Sequence, residues 1–128
     1  MKLSEYQITF TLNIASLIEY ANYLSIGLTF GEANRPQSMQ LLNYYGYIIK
    51  ESEGALILMK VKRTSHTLNS KHNERLAVDF NFFIAGKLTY NKDKLQKLGD
   101  FWESLHSKNR WGGNFKSFID TPHFEMNL

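Results

Sequence analysis

The chain has 128 residues and a mass of 14.9 kDa, with 43% apolar and 14% aromatic residues, so it can bury a core of its own and is too apolar for a disordered tail. It contains no cysteine, which excludes disulfides, thiolate zinc sites, iron–sulfur clusters and cysteine nucleophiles together. Fifteen Lys and Arg against twelve Asp and Glu give a net charge of +3 and a pI near 9.1, which suits an anionic partner but falls short of a nucleic-acid signature.

In chain order, the first element predicted is a helix. Ser4 and Gln7 have the spacing of a capping box, and Phe10, Ile14, Leu17, Ala21 and Leu24 then recur on one face of a 3.6-residue period. Gly27 is expected to end it. A short extended stretch from Leu28 to Phe30 follows, and Pro36 suits the first position of a second helix running to about Tyr45, with Gly46 as the stop. Residues 47–62 alternate poorly, but Ala55 to Val61 is rich in β-formers and reads as a strand; residues 63–75 are polar and turn-like. In LAVDFNFFIAG, Leu76, Val78, Phe80, Phe82 and Ile84 alternate with Ala77, Asp79 and Asn81, as in a strand with one face on a core and an acid on the other. A third helix is expected over 92–107, with Leu95, Leu98, Trp102 and Leu105 on one stripe. WGGNF and a loop through Lys116 to Asp120 lead to a final strand from His123 to Met126. This order predicts one α+β domain over residues 1–128, with helices packed on a small antiparallel sheet. No run approaches the ~18 apolar residues of a membrane span. MKLSEYQITF also lacks the apolar core of a signal peptide, so a chain made in the cytoplasm without membrane insertion is expected.

With no cysteine, the candidate metal ligands are carboxylates and the histidines His66, His72, His106 and His123. His72, in a polar turn, precedes Asp79 by seven positions, and a hairpin-like entry into the strand can bring both side chains to one point. With His123 they make two imidazoles and one carboxylate, a three-ligand zinc set whose fourth position stays open to water, which is the catalytic rather than the structural pattern. Asp120, three residues before His123, is placed to serve as the general base. On spacing alone, a core histidine and a chance His/Asp pair remain an open alternative.

Longer motifs add to this. SKHNERLAVDF resembles the S-x-H-x6-D signature of the zinc peptidases that include D-alanyl-D-alanine carboxypeptidases and dipeptidases and phage L-alanyl-D-glutamate endolysins. DTPHFE is similar to their closing (D/E)-x-x-H motif, TFGEANRPQSMQ to their G-E-x-x-R-(S/T)-x-x-x-Q segment, and WESL…WGGNF to the stretch before the last motif. These segments span nearly the whole chain in the family's order. Two positions depart from the pattern: Pro36 stands where Ser or Thr is usual, and the base is Asp rather than Glu.

The resemblance implies a hedgehog-like α+β fold and a zinc peptidase acting on the peptidoglycan stem peptide, with one zinc per chain. It implies His72, Asp79 and His123 as ligands and Asp120 as base. Ser70 would support the site by hydrogen bonding. Arg35 would face the substrate carbonyl or carboxylate, with Arg63 as its rival, and Gln40 would orient substrate or hold the loop. Glu125 is either a partner for a ligand imidazole or a member of an ordinary salt bridge. Trp111 either lines the substrate groove or belongs to the core. His66 and His106 are expected to face solvent, Glu32 to form a structural ion pair, and Lys92, Lys94 and Lys97 to make a solvated helix face. The activity implied is an L-alanyl-D-glutamate endopeptidase of phage-endolysin type, reaching the wall after release and acting as a monomer. A D-alanyl-D-alanine carboxypeptidase is the alternative within the class. A non-catalytic, zinc-stapled binding domain of a phage structural protein is the alternative outside it.

Overall fold

The apolar stripe at the N-terminus forms helix α1 (Leu3–Tyr23) in the computed structural model, which describes all 128 residues. Phe10, Leu17 and Ala21 are buried on its inner face, with Ile14 and Leu24 packed partly buried beside them. The helix start differs from the Ser4/Gln7 expectation. Lys2 is the cap residue, and its backbone N–H donates to the Glu5 carboxylate at 2.6 Å, which also sets a negative charge in the first turn. Gln7 instead donates to the carbonyl of Glu74 at 2.8 Å. The helix also ends before Gly27, because Ser25 adopts a left-handed conformation (φ 59°) and turns the chain into β1 (Ile26–Phe30).

Helix α2 (Gln37–Tyr45) begins one residue after Pro36, which caps it, and ends at Gly46. Gly46 has φ 79°, and a Cβ there would meet the Val61 carbonyl oxygen at 2.6 Å, so only glycine fits this corner. The segment read as one strand is a hairpin of two, β2 (Tyr47–Ser52) and β3 (Ala55–Lys60), forming a separate two-stranded sheet.

The alternating segment forms β4 (Ala77–Ile84), the centre of the main sheet. Strands run in the order β1-β4-β7-β6, with the short β5 (Lys87–Thr89) folding back onto β4. Every pairing is antiparallel. Helix α3 (Lys92–Leu105) is capped by the Asn91 side chain, which accepts from the Lys94 N–H. Then come β6 (Asn109–Trp111), a 3-10 turn (Gly112–Asn114) and β7 (His123–Met126).

The two faces of this sheet have different uses. Val78, Phe80 and Phe82 of β4, with Phe124 and Met126 of β7, point into a core closed by α1 and by Leu95, Leu98 and Trp102 of α3. Phe10 and Phe124 both meet the Trp102 ring edge-on, at 5.5 and 5.9 Å. Burying a Leu or Phe side chain stabilises by about 1.5–3 kcal/mol, so this core suffices to hold the sheet flat against the helices. The intervening residues Asp79, His123 and Glu125 therefore project from the opposite face. No helix is long and apolar enough to cross a membrane.

Candidate active site

Strand register brings two of the singled-out residues together. Asp79 on β4 and His123 on β7 are directly opposed partners, so their side chains stand side by side on the outer face. His123 Nδ1 lies 3.2 Å from Asp79 Oδ1. His72 arrives from the turn before β4, with its Nε2 3.5 Å from the same oxygen. One ligand atom from each of His72, Asp79 and His123 falls within 4.8 Å of the others.

Further contacts aim these atoms. His72 is 3% exposed, and its Nδ1 donates to the Ala33 carbonyl at 3.1 Å, which turns Nε2 toward Asp79. The turn carrying it is held by the Ser70 hydroxyl, which accepts from the His72 N–H at 3.2 Å. His123 Nε2 lies 2.7 Å from Glu125 Oε1. Glu125 is buried in turn and takes Arg110 Nη2 at 2.6 Å and Nε at 3.1 Å on its other oxygen. Glu125 thus faces a site imidazole and a salt-bridge partner at once. Two imidazoles that each turn one nitrogen to a shared ionised carboxylate are a donor set that fits zinc, with outer carboxylate and carbonyl partners of the kind metal-binding histidines use.

The titration behaviour follows from these contacts. Burial would raise the Asp79 carboxyl, but hydrogen bonds from His123 and His72 outweigh it and hold Asp79 well below the usual carboxylate range. Burial would lower His123, but bonds to Asp79 and Glu125 outweigh that and push it up to about 9. Glu125 is also lowered: hydrogen bonds from His123 and Arg110 outweigh its burial. Asp120 differs from the other acids. Burial raises it, and the charge of His123 only partly offsets this.

Asp120 reaches the site through a turn in which the His123 N–H donates to the Asp120 carbonyl at 3.1 Å. That turn is the physical content of the D-x-x-H spacing. The Asp120 N–H is anchored on the Gly112 carbonyl at 2.9 Å, and a Cβ at Gly112 would lie 2.1 Å from the Asp120 carbonyl oxygen. Only glycine permits this approach.

These groups share a cleft of about 330 Å³, with Arg35 and Ser70 on its walls. Arg35 is mostly buried and fixed on three sides. Its Nη1 donates to Gln40 Oε1 at 2.6 Å, its Nε to Glu32 Oε1 at 2.5 Å, and its backbone N–H to the His72 carbonyl at 3.2 Å. Glu32 is the structural ion pair expected. Gln40 is fully buried and spans from Arg35 to the 64–68 loop, donating to the Ser65 hydroxyl at 2.8 Å and the Thr67 carbonyl at 2.5 Å. Arg63 lies apart from the cleft lining, over the Tyr44 ring at 4.6 Å.

One open reading is decided and one expectation changes. Trp111 does not line the groove: it is fully buried beneath the site, and its indole N–H donates to the Thr121 carbonyl at 2.8 Å. Trp111 belongs to the core because β6 pairs it with Phe124 on the inner face. His66 is exposed, as expected, but stands on the cleft wall with Phe115 and Phe118. The sequence reading missed these three, the cleft-wall residues Thr64, Ser65 and Thr67, and Arg110. Arg110 is the cross-strand partner of Glu125, a relation invisible until β6 is recognised.

The fold and the site together define an α+β domain with a His–Asp–His centre on one sheet face. The profile of the D-alanyl-D-alanine carboxypeptidase family matches residues 63–126, half of the chain, and the chain belongs to this peptidase family. No curated protein matches the sequence. Among solved structures, the L-Ala D-Glu endopeptidase ChiX of Serratia marcescens shares the fold, with a TM-score of 0.63 at 20% identity, covering 99% of this chain and 87% of that one.

Proposed function

We propose that this chain is a zinc-dependent endopeptidase that cuts the L-alanyl-D-glutamate bond of the peptidoglycan stem peptide, as a phage-type endolysin acting on the wall after release. The observation that carries the reading is the convergence of His72, Asp79 and His123 on one point of a cleft that also holds Asp120 and Arg35, in a chain of a peptidase family. When bound by those three residues, zinc supplies Lewis-acid polarisation of the scissile carbonyl and acidifies a water molecule. Asp120 takes the proton from the attacking water and returns it to the leaving amine. Its raised pKa brings its basicity closer to that task than an ordinary aspartate's. Arg35 offers guanidinium donors to the developing oxyanion, and its bonds to Glu32 and Gln40 keep it from relaxing between turnovers. Glu125 and Ser70 hold the two histidine ligands in position.

The choice of bond is supported by the structural neighbour, an L-Ala D-Glu endopeptidase whose match covers 99% of this chain. The family's description favours a second reading, a D-alanyl-D-alanine carboxypeptidase. Digestion of purified sacculi by the zinc-loaded protein, with mass-spectrometric identification of new ends, separates the two. A new D-glutamate amino terminus is expected. Release of free D-alanine would assign the carboxypeptidase activity, and intact sacculi would point to a non-catalytic domain.

A further inference from the structure

The turn of residues 64–67 lines the cleft beside the His–Asp–His centre and is pinned from behind. The backbone N–H groups of Thr64 and Ser65 donate to the Asn43 carbonyl at 3.0 and 3.3 Å, and the buried Gln40 amide donates to the Ser65 hydroxyl and the Thr67 carbonyl. Most polar side chains of the lining are also spent on the protein itself. The Ser65 hydroxyl donates to the Thr67 carbonyl at 3.1 Å, the Thr67 hydroxyl donates to the Asn69 carbonyl at 2.9 Å, and the Ser70 hydroxyl accepts from the His72 N–H. Arg35 is shared between Glu32 and Gln40. Apart from Asp120, only the His66 imidazole and the Thr64 hydroxyl stand in the lining with no hydrogen bond to the protein. Two unspent donors on a turn whose backbone is already fixed are preorganised for a ligand.

We propose that His66, with Thr64 beside it, binds the free α-carboxylate of the residue on the leaving side of the scissile bond, an assignment that rests on the peptidase reading above. The chemistry of that residue supplies the argument. In the stem peptide, D-glutamate is joined onward through its γ-carboxyl, so its Cα carries both the scissile nitrogen and an unblocked α-carboxylate. A scissile carbonyl placed at the His72–Asp79–His123 centre therefore brings a carboxylate into the same cleft, two bonds from the scissile nitrogen. An imidazole carries an N–H donor in either protonation state, and a threonine hydroxyl carries one as well. Arg35 is the other cation of the lining, but Glu32 and Gln40 already hold it toward the oxyanion. A peptide without that carboxylate leaves the donors of the turn unpaired, which makes His66 a determinant of specificity and gives it no part in proton transfer.

Steady-state kinetics of the zinc-loaded protein on two acid–amide pairs of synthetic peptides tests this. One pair is acetyl-L-Ala-γ-D-Glu-L-Lys with its glutamate α-carboxylate free or amidated. The other is acetyl-L-Lys-D-Ala-D-Ala with its C-terminus free or amidated, because the leaving D-alanine of the carboxypeptidase reading bears the same group. Which acid is cut decides the bond. The wild type is expected to prefer the acid over its amide by about 10–100-fold in kcat/KM, the range of a hydrogen bond to a charged group. His66→Ala should lose most of that preference through a raised KM, with kcat and zinc content kept. His66→Gln retains an N–H donor and should recover part of it, and Thr64→Val should show a smaller loss. Both positions are exposed, so circular dichroism should not change. A wild type indifferent to amidation, or a preference that survives in His66→Ala, overturns the subsite while the peptidase reading stands. A wild type that cuts neither acid overturns the peptidase reading and the subsite with it.

Discussion

His123 divides its two ring nitrogens between two carboxylates, with Nδ1 at 3.2 Å from Asp79 and Nε2 at 2.7 Å from Glu125. The division is built by strand geometry. Asp79 is its cross-strand partner, and Glu125 lies two residues along the same face of β7. Glu125 claims the Nε2 proton, so the nitrogen left for coordination is the one that faces His72 and Asp79.

Replacing Glu125 tests that arrangement. Glu125→Gln keeps the size of the side chain and removes the charge that pairs with both His123 and Arg110. Zinc affinity is expected to fall about 10–100-fold, as for other outer partners of metal-binding histidines. Competition titration against a chromogenic chelator measures it. An unchanged affinity would reduce Glu125 to a salt-bridge partner of Arg110.

His72→Ala and Asp120→Asn are expected to fail differently. Loss of His72 removes a ligand, so metal content and activity should drop together. Asp120→Asn removes only basicity, so the protein should keep its zinc while turnover falls ~10²–10⁴-fold. Atomic absorption on the purified variants, beside a turbidity assay on permeabilised cells, gives both readings. An Asp120→Asn protein that lyses at the wild-type rate would move the base elsewhere, with Glu125 the next candidate.

Protons and metal should compete at His123. Its pKa of about 9 in the metal-free protein lies above the ordinary 6.5, so at neutral pH the ring is protonated and zinc binding must displace a proton. Affinity should therefore rise with pH up to about 9 and then level off. Calorimetry in buffers of different ionisation enthalpy counts the proton released, and a count of zero at neutral pH would contradict the assignment. The sign for stability is opposite. A raised folded-state pKa means that the His123 ion pairs stabilise the metal-free protein fully below 6.5 and are lost as pH climbs through about 9. Urea unfolding of the chelator-treated protein across that range should follow this decline.

Arg35→Lys is expected to leave zinc content unchanged and lower turnover about 10²–10³-fold. An ammonium cannot reproduce the guanidinium fork held between Glu32 and Gln40. Arg63→Lys should have little effect, since Arg63 lies over Tyr44 away from the cleft lining. The reverse pattern would exchange their roles.

The features legible in the sequence are those set by local periodicity or a short turn. The inner stripes of α1 and α3 and the alternation of β4 encode which face each element buries, and burial is what organised them. The seven-residue step from His72 to Asp79 and the three-residue step from Asp120 to His123 likewise describe a turn entering a strand, within reach of local reasoning. β2 left no such trace, because both of its faces are exposed and nothing imposes alternation on Tyr47–Ser52. β5 and β6, three residues each, are too short to show a period. With β6 unseen, two relations could not be read: Arg110 opposite Glu125, and Trp111 turned inward against Phe124. His66 joined the cleft through the path of a polar loop, held by the buried Gln40 to Ser65 and Thr67. Register between distant strands and the course of an unpatterned loop depend on contacts across the chain, so tertiary structure alone decided them.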